Sequence, residues 1–300
     1  MVITSIENLI CFHLIFLSTA GIGVISLWEF FLAISTGVLW GITPALYSEA
    51  AHHNSTVHAN AWKSWGAFIV NWIIAISFGF FEVPDQRTFL IIALNTLTGP
   101  VIGDYAFFKG IALSGPGKAT SVGFTYILWA SMISIAFMGE LLSFGVISGA
   151  LLSVLGIWLL TTEGGKWSLL GILWSLTASL FWAVSPSIMR LALSEINPIS
   201  ASTWNSLLMT LVFTPLAARR GNLKGRGRSK AVLGGGIGIG IGLPIFYYSV
   251  DMLGVSLPVL ATAVSPLIAQ VASWLEGEAP SLKTILGSGA IALGMAMAVL

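Results

Sequence analysis

Apolar residues are grouped in ten long stretches, each near the length of a membrane-spanning helix, which is about 20 residues. The stretches lie at 29–48, 61–80, 88–112, 118–138, 143–161, 168–189, 201–217, 231–250, 256–275 and 282–300. They are too long and too uniformly apolar for the alternating, roughly ten-residue strands of a membrane β-barrel. The pattern therefore predicts an all-α, polytopic membrane helical bundle with ten transmembrane helices.

A further apolar stretch, Ile6 to Leu27, precedes the first of these helices. It is long enough to span a membrane but contains the polar residues Asn8 and His13. No basic residue comes before it, which disfavours a secretory signal peptide. Two interpretations stay open: an eleventh, N-terminal helix, or an upstream extension that results from a misassigned start codon.

Composition narrows the functional classes. Hydrophobic residues make up 56% of the chain and charged residues 8%, whereas soluble domains carry roughly 25% charged residues. So few charges exclude soluble enzymes, nucleic-acid-binding proteins and disordered tails, and a net charge of +1 offers no surface for a polyanion. The only cysteine is Cys11, and His52, His53 and His58 share a polar loop without a carboxylate array. We therefore expect no metal site and no cofactor.

An internal repeat gives the bundle its organisation. Residues 40–44 read WGITP and residues 182–186 read WAVSP, an offset of 142 that also pairs Trp62 with Trp204. A second offset, of 138, pairs Gly149 with Gly287. Each copy holds five helices, and because five is odd, the second copy must enter the membrane in the opposite direction. The sequence thus predicts two inverted five-helix repeats, at 28–163 and 164–300, after an extra hydrophobic segment at 1–27.

The quoted motifs resemble a known family of carriers. LWGITP at 39–44, FWAVSP at 181–186 and GDYAFFKGIALSGPGKATSVGFTYIL at 103–128 are similar to the drug/metabolite transporter superfamily, EamA type. The resemblance covers residues 28–300. It implies a secondary carrier with a central cavity built largely from helices 1, 3, 4, 6, 8 and 9. Relatives export amino acids, other metabolites or drugs, and some import sugars.

We therefore expect a multi-pass protein of the cell membrane that exports small organic solutes, such as metabolites, amino acids or drugs, by alternating access. Its partners would be a small-molecule substrate, the lipid bilayer and a coupling proton. Uptake of sugars or other neutral solutes is the alternative within transport. A membrane-embedded enzyme is the alternative of another class, but it should show clustered His, Asp or Glu, and the carboxylates here are scattered. The prediction is that the chain is not an enzyme.

The repeated motif supplies the first candidate substrate-binding residues. Trp40 and Thr43 are three residues apart and share one helix face, as do Trp182 and Ser185 in the second copy. A proline follows the hydroxyl residue in each copy, at 44 and 186. Because a proline inside a helix removes a backbone hydrogen bond, Pro44 and Pro186 are candidate hinges. Helix packing with tryptophan as filler is the alternative.

Three polar residues of helix 3, Asn95, Thr98 and Tyr105, lie within about 80° of one another around the helix. They should face a cavity or another helix rather than lipid. Tyr126 and Tyr247 combine an apolar ring with a hydroxyl, which suits an amphipathic solute. These five residues complete the predicted substrate site, with helix–helix hydrogen bonding as the alternative.

Asp104 is the only carboxylate well inside a predicted span. Ionisable groups inside a membrane are costly and are functional candidates for that reason. Asp104 is thus the candidate for proton coupling. A structural ion pair with Lys109, five residues along the same helix, is the alternative.

The run GGGIGIGIG at 234–242 lacks the Lys-Ser/Thr ending of a phosphate-binding loop. Gly234, Gly238 and Gly242 recur at every fourth residue, the spacing at which small residues let two membrane helices approach closely. We therefore expect helix packing at this run.

The orientation in the membrane stays open. Every basic residue except Arg87 and Arg190 lies in or beside the loops that follow the odd-numbered helices. The positive-inside rule places those loops in the cytoplasm. The family resemblance implies the reverse, with the start of helix 1 in the cytoplasm.

Overall fold

The computed structural model describes residues 27–138, 144–161, 169–221, 223–275, 277 and 279–297. In these ranges the regular secondary structure is helical. The helices are α1 Leu27–His53, α2 Thr56–Ser77, α3 Gln86–Ser114, α4 in two segments (Pro116–Gly123 and Tyr126–Met138), α5 Phe144–Thr161, α6 Leu169–Leu193, α7 Pro198–Ala218, α8 Arg228–Leu253, α9 in three segments (Ser256–Ala261, Thr262–Val264 and Ser265–Leu275) and α10 Leu282–Met297. The predicted ten-helix bundle is confirmed, and residues 6–26 of the possible eleventh helix lie outside the described residues.

The bundle places apolar side chains outward and polar ones inward, as a lipid environment requires. Leu151, Trp158 and Leu169 are more than half exposed, whereas Asn60 and Asn71 are fully buried. Within the described residues, four helices are long and apolar enough to cross a membrane. They are Phe31–His53, Gln86–Ser114, Leu169–Leu193 and Arg228–Leu253.

Polar side chains cap the helices that begin at the loops. Ser55, Asp85 and Asn197 precede α2, α3 and α7, and each accepts a hydrogen bond from the backbone N–H three residues later. This bond satisfies one of the amides that have no partner in the first helical turn. The chain can therefore turn tightly and begin the next helix at once.

The contact between α5 and α10 shows the relation between the two repeats. A Cβ on Gly294 would strike the carbonyl of Gly149, and one on Gly287 would strike the carbonyl of Gly156. The pairing runs in opposite directions along the two helices, which are therefore antiparallel. Exchanging Gly149 with Gly287 and Gly156 with Gly294 turns one contact into the other. The last helices of the two repeats are thus related by a pseudo-twofold, in opposite orientation.

The same twofold relates two hydrogen bonds that tryptophans near the beginnings of α2 and α7 make to loops. The indole N–H of Trp62 donates to the carbonyl of Leu223 at 2.9 Å, and that of Trp204 donates to the carbonyl of Glu82 at 2.9 Å. Each tryptophan thus holds the loop that follows the second helix of the opposite repeat. This arrangement confirms two inverted repeats.

The third helix of each repeat contains a widened, π-helical stretch. It covers Leu97–Gly103 in α3 and Gly236–Ile241 in α8, 139 residues apart. Pro100 lies in the first of them and cannot donate a backbone hydrogen bond. By contrast, α1 and α6 continue as helices through Pro44 and Pro186. The hinge role of these two prolines stays a prediction.

Close helix packing explains the glycine run of α8. A Cβ on Gly234 would strike Tyr47, one on Gly238 would meet Thr43, and one on Gly242 would meet Trp40. The expected small-residue packing is present along α1. On the adjacent face, Cβ atoms on Gly235 and on Gly66 of α2 would collide with backbone carbonyls of the opposite helix.

Gly66→Ala should lower the free energy of unfolding by about 3 kcal/mol, because the added methyl group must push α8 away from α2. Gly289→Ala in α10 is the matched control, since nothing lies within 4 Å of its Cβ position. Its stability should rise by about 0.5 kcal/mol, as alanine favours a helix. Thermal unfolding in detergent measures both, and equal midpoints for the two variants would contradict the packing.

Candidate functional site

A cavity of about 100 Å³ lies at the centre of the bundle, between α1, α3, α6 and α8, with contributions from α2 and α4. A single bound water needs roughly 10–15 Å³ by this measure, so there is room for a small solute. Most of the residues predicted to form the site line this cavity. They are Trp40, Thr43, Asp104, Tyr126, Trp182, Ser185, Pro186 and Tyr247.

Trp40 and Trp182 form equivalent walls of the cavity. The ring of Trp40 packs on Phe246 at 4.9 Å between centroids, and that of Trp182 packs on Phe107 at 4.8 Å. Phe107 and Phe246 are themselves 139 residues apart, like the π-helical stretches. The twofold therefore builds the same aromatic corner twice, on opposite sides of the cavity.

Glycines on the neighbouring helices make room for both indole rings. A Cβ on Gly103 would collide with the pyrrole edge of Trp182, and one on Gly242 would approach the same edge of Trp40. These glycines lie where the π-helical stretches end, in equivalent turns of α3 and α8. The missing side chains let the pyrrole edges of the tryptophans approach the helix backbone.

The two indole N–H groups differ in what accepts their hydrogen bond. Trp40 donates to the carbonyl of Gly238 at 2.8 Å, a backbone group. Trp182 donates to Oδ1 of Asp104 at 2.9 Å, a carboxylate. The two halves therefore share their helix arrangement but differ in the acceptor of the indole hydrogen bond.

The second oxygen of Asp104 pairs with the ammonium of Lys63, which comes from α2. Both side chains line the cavity and both are buried. The alternative that paired Asp104 with Lys109 is wrong, because five residues separate them and their side chains point about 140° apart around the helix. Lys109 instead lies 6.0 Å from the centre of the Tyr105 ring.

Asn95 lies behind the cavity wall in a network of side chains. Its Nδ2 donates to the carbonyl and the hydroxyl of Ser185 at 2.6 and 2.7 Å. Its Oδ1 accepts from Tyr247 at 3.0 Å and from Asn205 at 2.9 Å. Asn95 therefore joins α3, α6, α7 and α8, and fixes two residues that do line the cavity, Ser185 and Tyr247.

Like Asn95, three other predicted residues do not line the cavity. Thr98 donates to the carbonyls of Leu94 and Asn95 in its own helix. Tyr105 packs edge-on against Trp174 at 6.2 Å between ring centres. Pro44 is buried within α1 but is not part of the cavity wall. The π-helical stretch adds a residue to the turn, so the stripe of α3 drawn at a constant 100° per residue is wrong beyond residue 97.

Lys63 and Asn205 were missed as site residues, although the repeat contains the signal for both. Trp62-Lys63-Ser64 aligns with Trp204-Asn205-Ser206 at the offset of 142. The charged residue and the amide therefore occupy equivalent places in α2 and α7. From the sequence alone, Lys63 resembles a basic residue near a loop, because it lies two turns from the start of its helix.

Among the described residues, no group of three or more His, Cys, Asp or Glu side chains could hold a metal ion. His58 is instead within hydrogen-bonding distance of Ser55, with 2.7 Å between Nδ1 and the hydroxyl oxygen. The polar chemistry of the cavity is thus that of one ion pair, hydroxyl groups and indole N–H groups.

Comparison with known proteins shows the family to which the chain belongs. The model of the EamA-like transporter family matches residues 27–162 and 169–300. The chain belongs to the EamA-like transporter family. A crystal structure described only as that of a protein superposes with a TM-score of 0.67, at 18% sequence identity, over 90% of this chain and 96% of that chain. It shows the fold alone. The search of curated proteins finds no match.

As an EamA-like transporter, the protein is an integral membrane carrier of small solutes. Members of this family are transporters rather than enzymes. The two regions of this chain that match the family model correspond to the halves that the twofold exchanges. The cavity lies where α1 and α3 of the first half meet α6 and α8 of the second.

Asn95→Leu should lower the free energy of unfolding by about 3 kcal/mol, because Asn205 and Tyr247 would each lose a buried partner. Thr98→Val, one turn away, should cost no more than about 1 kcal/mol, since it removes only hydrogen bonds within its own helix. Chemical or thermal unfolding in detergent compares the two. Equal losses would show that the network does not hold the four helices.

Proposed function

We propose that this EamA-like transporter exports small organic solutes of the amino-acid or metabolite class from the cell, by alternating access through the central cavity. The observation that carries the proposal is the cavity itself, which is enclosed by equivalent helices of the two repeats and walled by Trp40 and Trp182. An aromatic wall with a few fixed polar groups is typical of sites for small organic ligands.

Alternating access follows from the arrangement of the repeats. The units that we propose to rock are residues 28–163 and 164–300, with the cavity at their interface. Inverted repeats give a carrier two related states, because each half can adopt the conformation of the other as the two rock around the site. The π-helical stretches in α3 and α8 border the cavity and supply places where these helices can change pitch.

Energy for export would come from a gradient or from exchange. Asp104 stays the candidate for a coupling proton, and its ion pair with Lys63 is the group that a proton would disrupt. Uptake of sugars or other neutral solutes is the competing function. It is distinguished by the solute that is carried and by the direction of net flux.

Trp40→Ala should abolish stabilisation by bound solute and lower transport by at least about tenfold, because it removes one aromatic wall. The matched control is Trp274→Ala in α9, a residue that is 60% exposed and does not line the cavity. Both are measured by thermal shift against a panel of amino acids and sugars, and by flux in proteoliposomes. Equal behaviour of the two variants would overturn the central cavity as the transport site.

A further inference from the structure

One anionic and one cationic side chain of the cavity retain hydrogen-bonding capacity that the protein leaves unused. An ammonium has three donors, and that of Lys63 makes one hydrogen bond among the described residues, to Asp104. The Asp104 carboxylate accepts one bond at each oxygen, from Lys63 and from Trp182, and each oxygen can accept another. Because both groups border the cavity, a solute there can reach the remaining positions.

The fold does not require these charges. The twofold places Asn205 in α7 where Lys63 stands in α2, and Leu243 in α8 where Asp104 stands in α3. Asn205 makes neutral hydrogen bonds, at 3.0 Å to Tyr247 and 2.9 Å to Asn95. The same helix packing is therefore achieved in the second repeat without an ion. A buried ion pair is also weak evidence of stabilisation, since desolvation offsets its attraction.

The walls around the pair suit a solute with a charged head and an apolar body. The Lys63 ammonium lies 5.6 Å from the centre of the Phe108 ring, which stabilises a cation at that place. The opposite wall consists of Trp40, Phe246 and Leu243 and carries no charge. The cavity is thus dipolar at one side and apolar at the other.

We propose that the Lys63–Asp104 pair determines the specificity of this carrier for zwitterionic solutes, those with an ammonium and an anionic group on neighbouring atoms. The solute ammonium donates to the acceptor positions of Asp104 that remain free, and the solute anionic group accepts from the remaining N–H donors of Lys63. The burial cost of both side-chain charges is then met in the loaded state as in the empty one. This proposal rests on the transport function proposed above.

The first test compares four solutes of one shape on the unaltered protein in proteoliposomes. L-Leucine carries both charges, 3-methylbutylamine only the cation, 4-methylpentanoate only the anion, and 4-methylpentanamide neither. Leucine should inhibit the transport of a labelled solute, and raise the unfolding temperature, at concentrations about 100-fold lower than the other three. Only leucine forms charge-assisted bonds with both Lys63 and Asp104. Equal potency of leucine and the neutral amide would overturn the proposal.

The second test makes the first repeat resemble the second at this place. Lys63→Asn combined with Asp104→Leu installs the residues of the equivalent positions, so the double variant should fold with a similar unfolding midpoint. Its preference for leucine over 4-methylpentanamide should fall by about 100-fold. The control is Glu49→Leu combined with Arg226→Asn. These two residues form an ion pair between the end of α1 and the α7–α8 loop, and neither lines the cavity. The control should keep the full preference.

The outcomes separate this proposal from the transport function. A double variant that cannot fold, or that retains the leucine preference, would show that the pair is structural and would overturn the proposal. Transport of neutral or singly charged solutes without leucine would overturn it and leave the carrier function standing. If the unaltered protein moves no solute from the panel or from a wider set of metabolites, the transport function itself fails.

Discussion

Close contact between antiparallel helices at glycine is the constraint on which the rest of this molecule depends. Lipid chains are as apolar as leucine, so there is little hydrophobic gain when two membrane helices meet, and packing must supply the attraction. The contacts of Gly294 with Gly149 and of Gly287 with Gly156 bring backbone against backbone between α5 and α10. Because the twofold exchanges these two contacts, α5 and α10 present the same glycine surface to each other.

The symmetric frame carries an asymmetric site. Aromatic corners, glycine supports and π-helical stretches are duplicated around the cavity, at Trp40 in one half and Trp182 in the other. The ion pair is not, since its equivalents are an amide and a leucine. Duplication therefore provides the two-state scaffold, and divergence at a few positions provides chemistry that can differ between the ends of a bound solute. A carrier needs both, because motion depends on similar halves and recognition on different ones.

Much of this arrangement can be predicted from the sequence. The lengths of the apolar stretches give the ten helices, and the recurrence of WGITP as WAVSP gives the repeat and most of the cavity wall. Other positions fail for physical reasons. Tyr105 lies outside the cavity wall because the π-helical stretch shifts the phase of α3. Lys63 escapes notice because a basic residue two turns into a helix resembles an interfacial one.

The network of Asn95 illustrates a second limit of sequence reasoning. Periodicity places Asn95 on an inward face of α3, which is correct, but cannot tell a residue that touches solute from one that positions its neighbours. That distinction depends on α7, whose Asn205 donates a hydrogen bond to Oδ1 of Asn95. Contacts between distant segments decide it, and no local pattern encodes them.

Access to the cavity from the two membrane faces is the most direct test of the central claim. Cys11 is the only cysteine of the chain, so Ser185→Cys in a Cys11→Ser background places one reactive thiol in the cavity wall. Membrane-impermeant reagents are applied to right-side-out and inside-out vesicles. Alternating access predicts labelling from both faces, with protection from both by a transported solute. Labelling from one face only, or labelling that solute leaves unchanged, would contradict a carrier in which two inverted repeats rock around a central site.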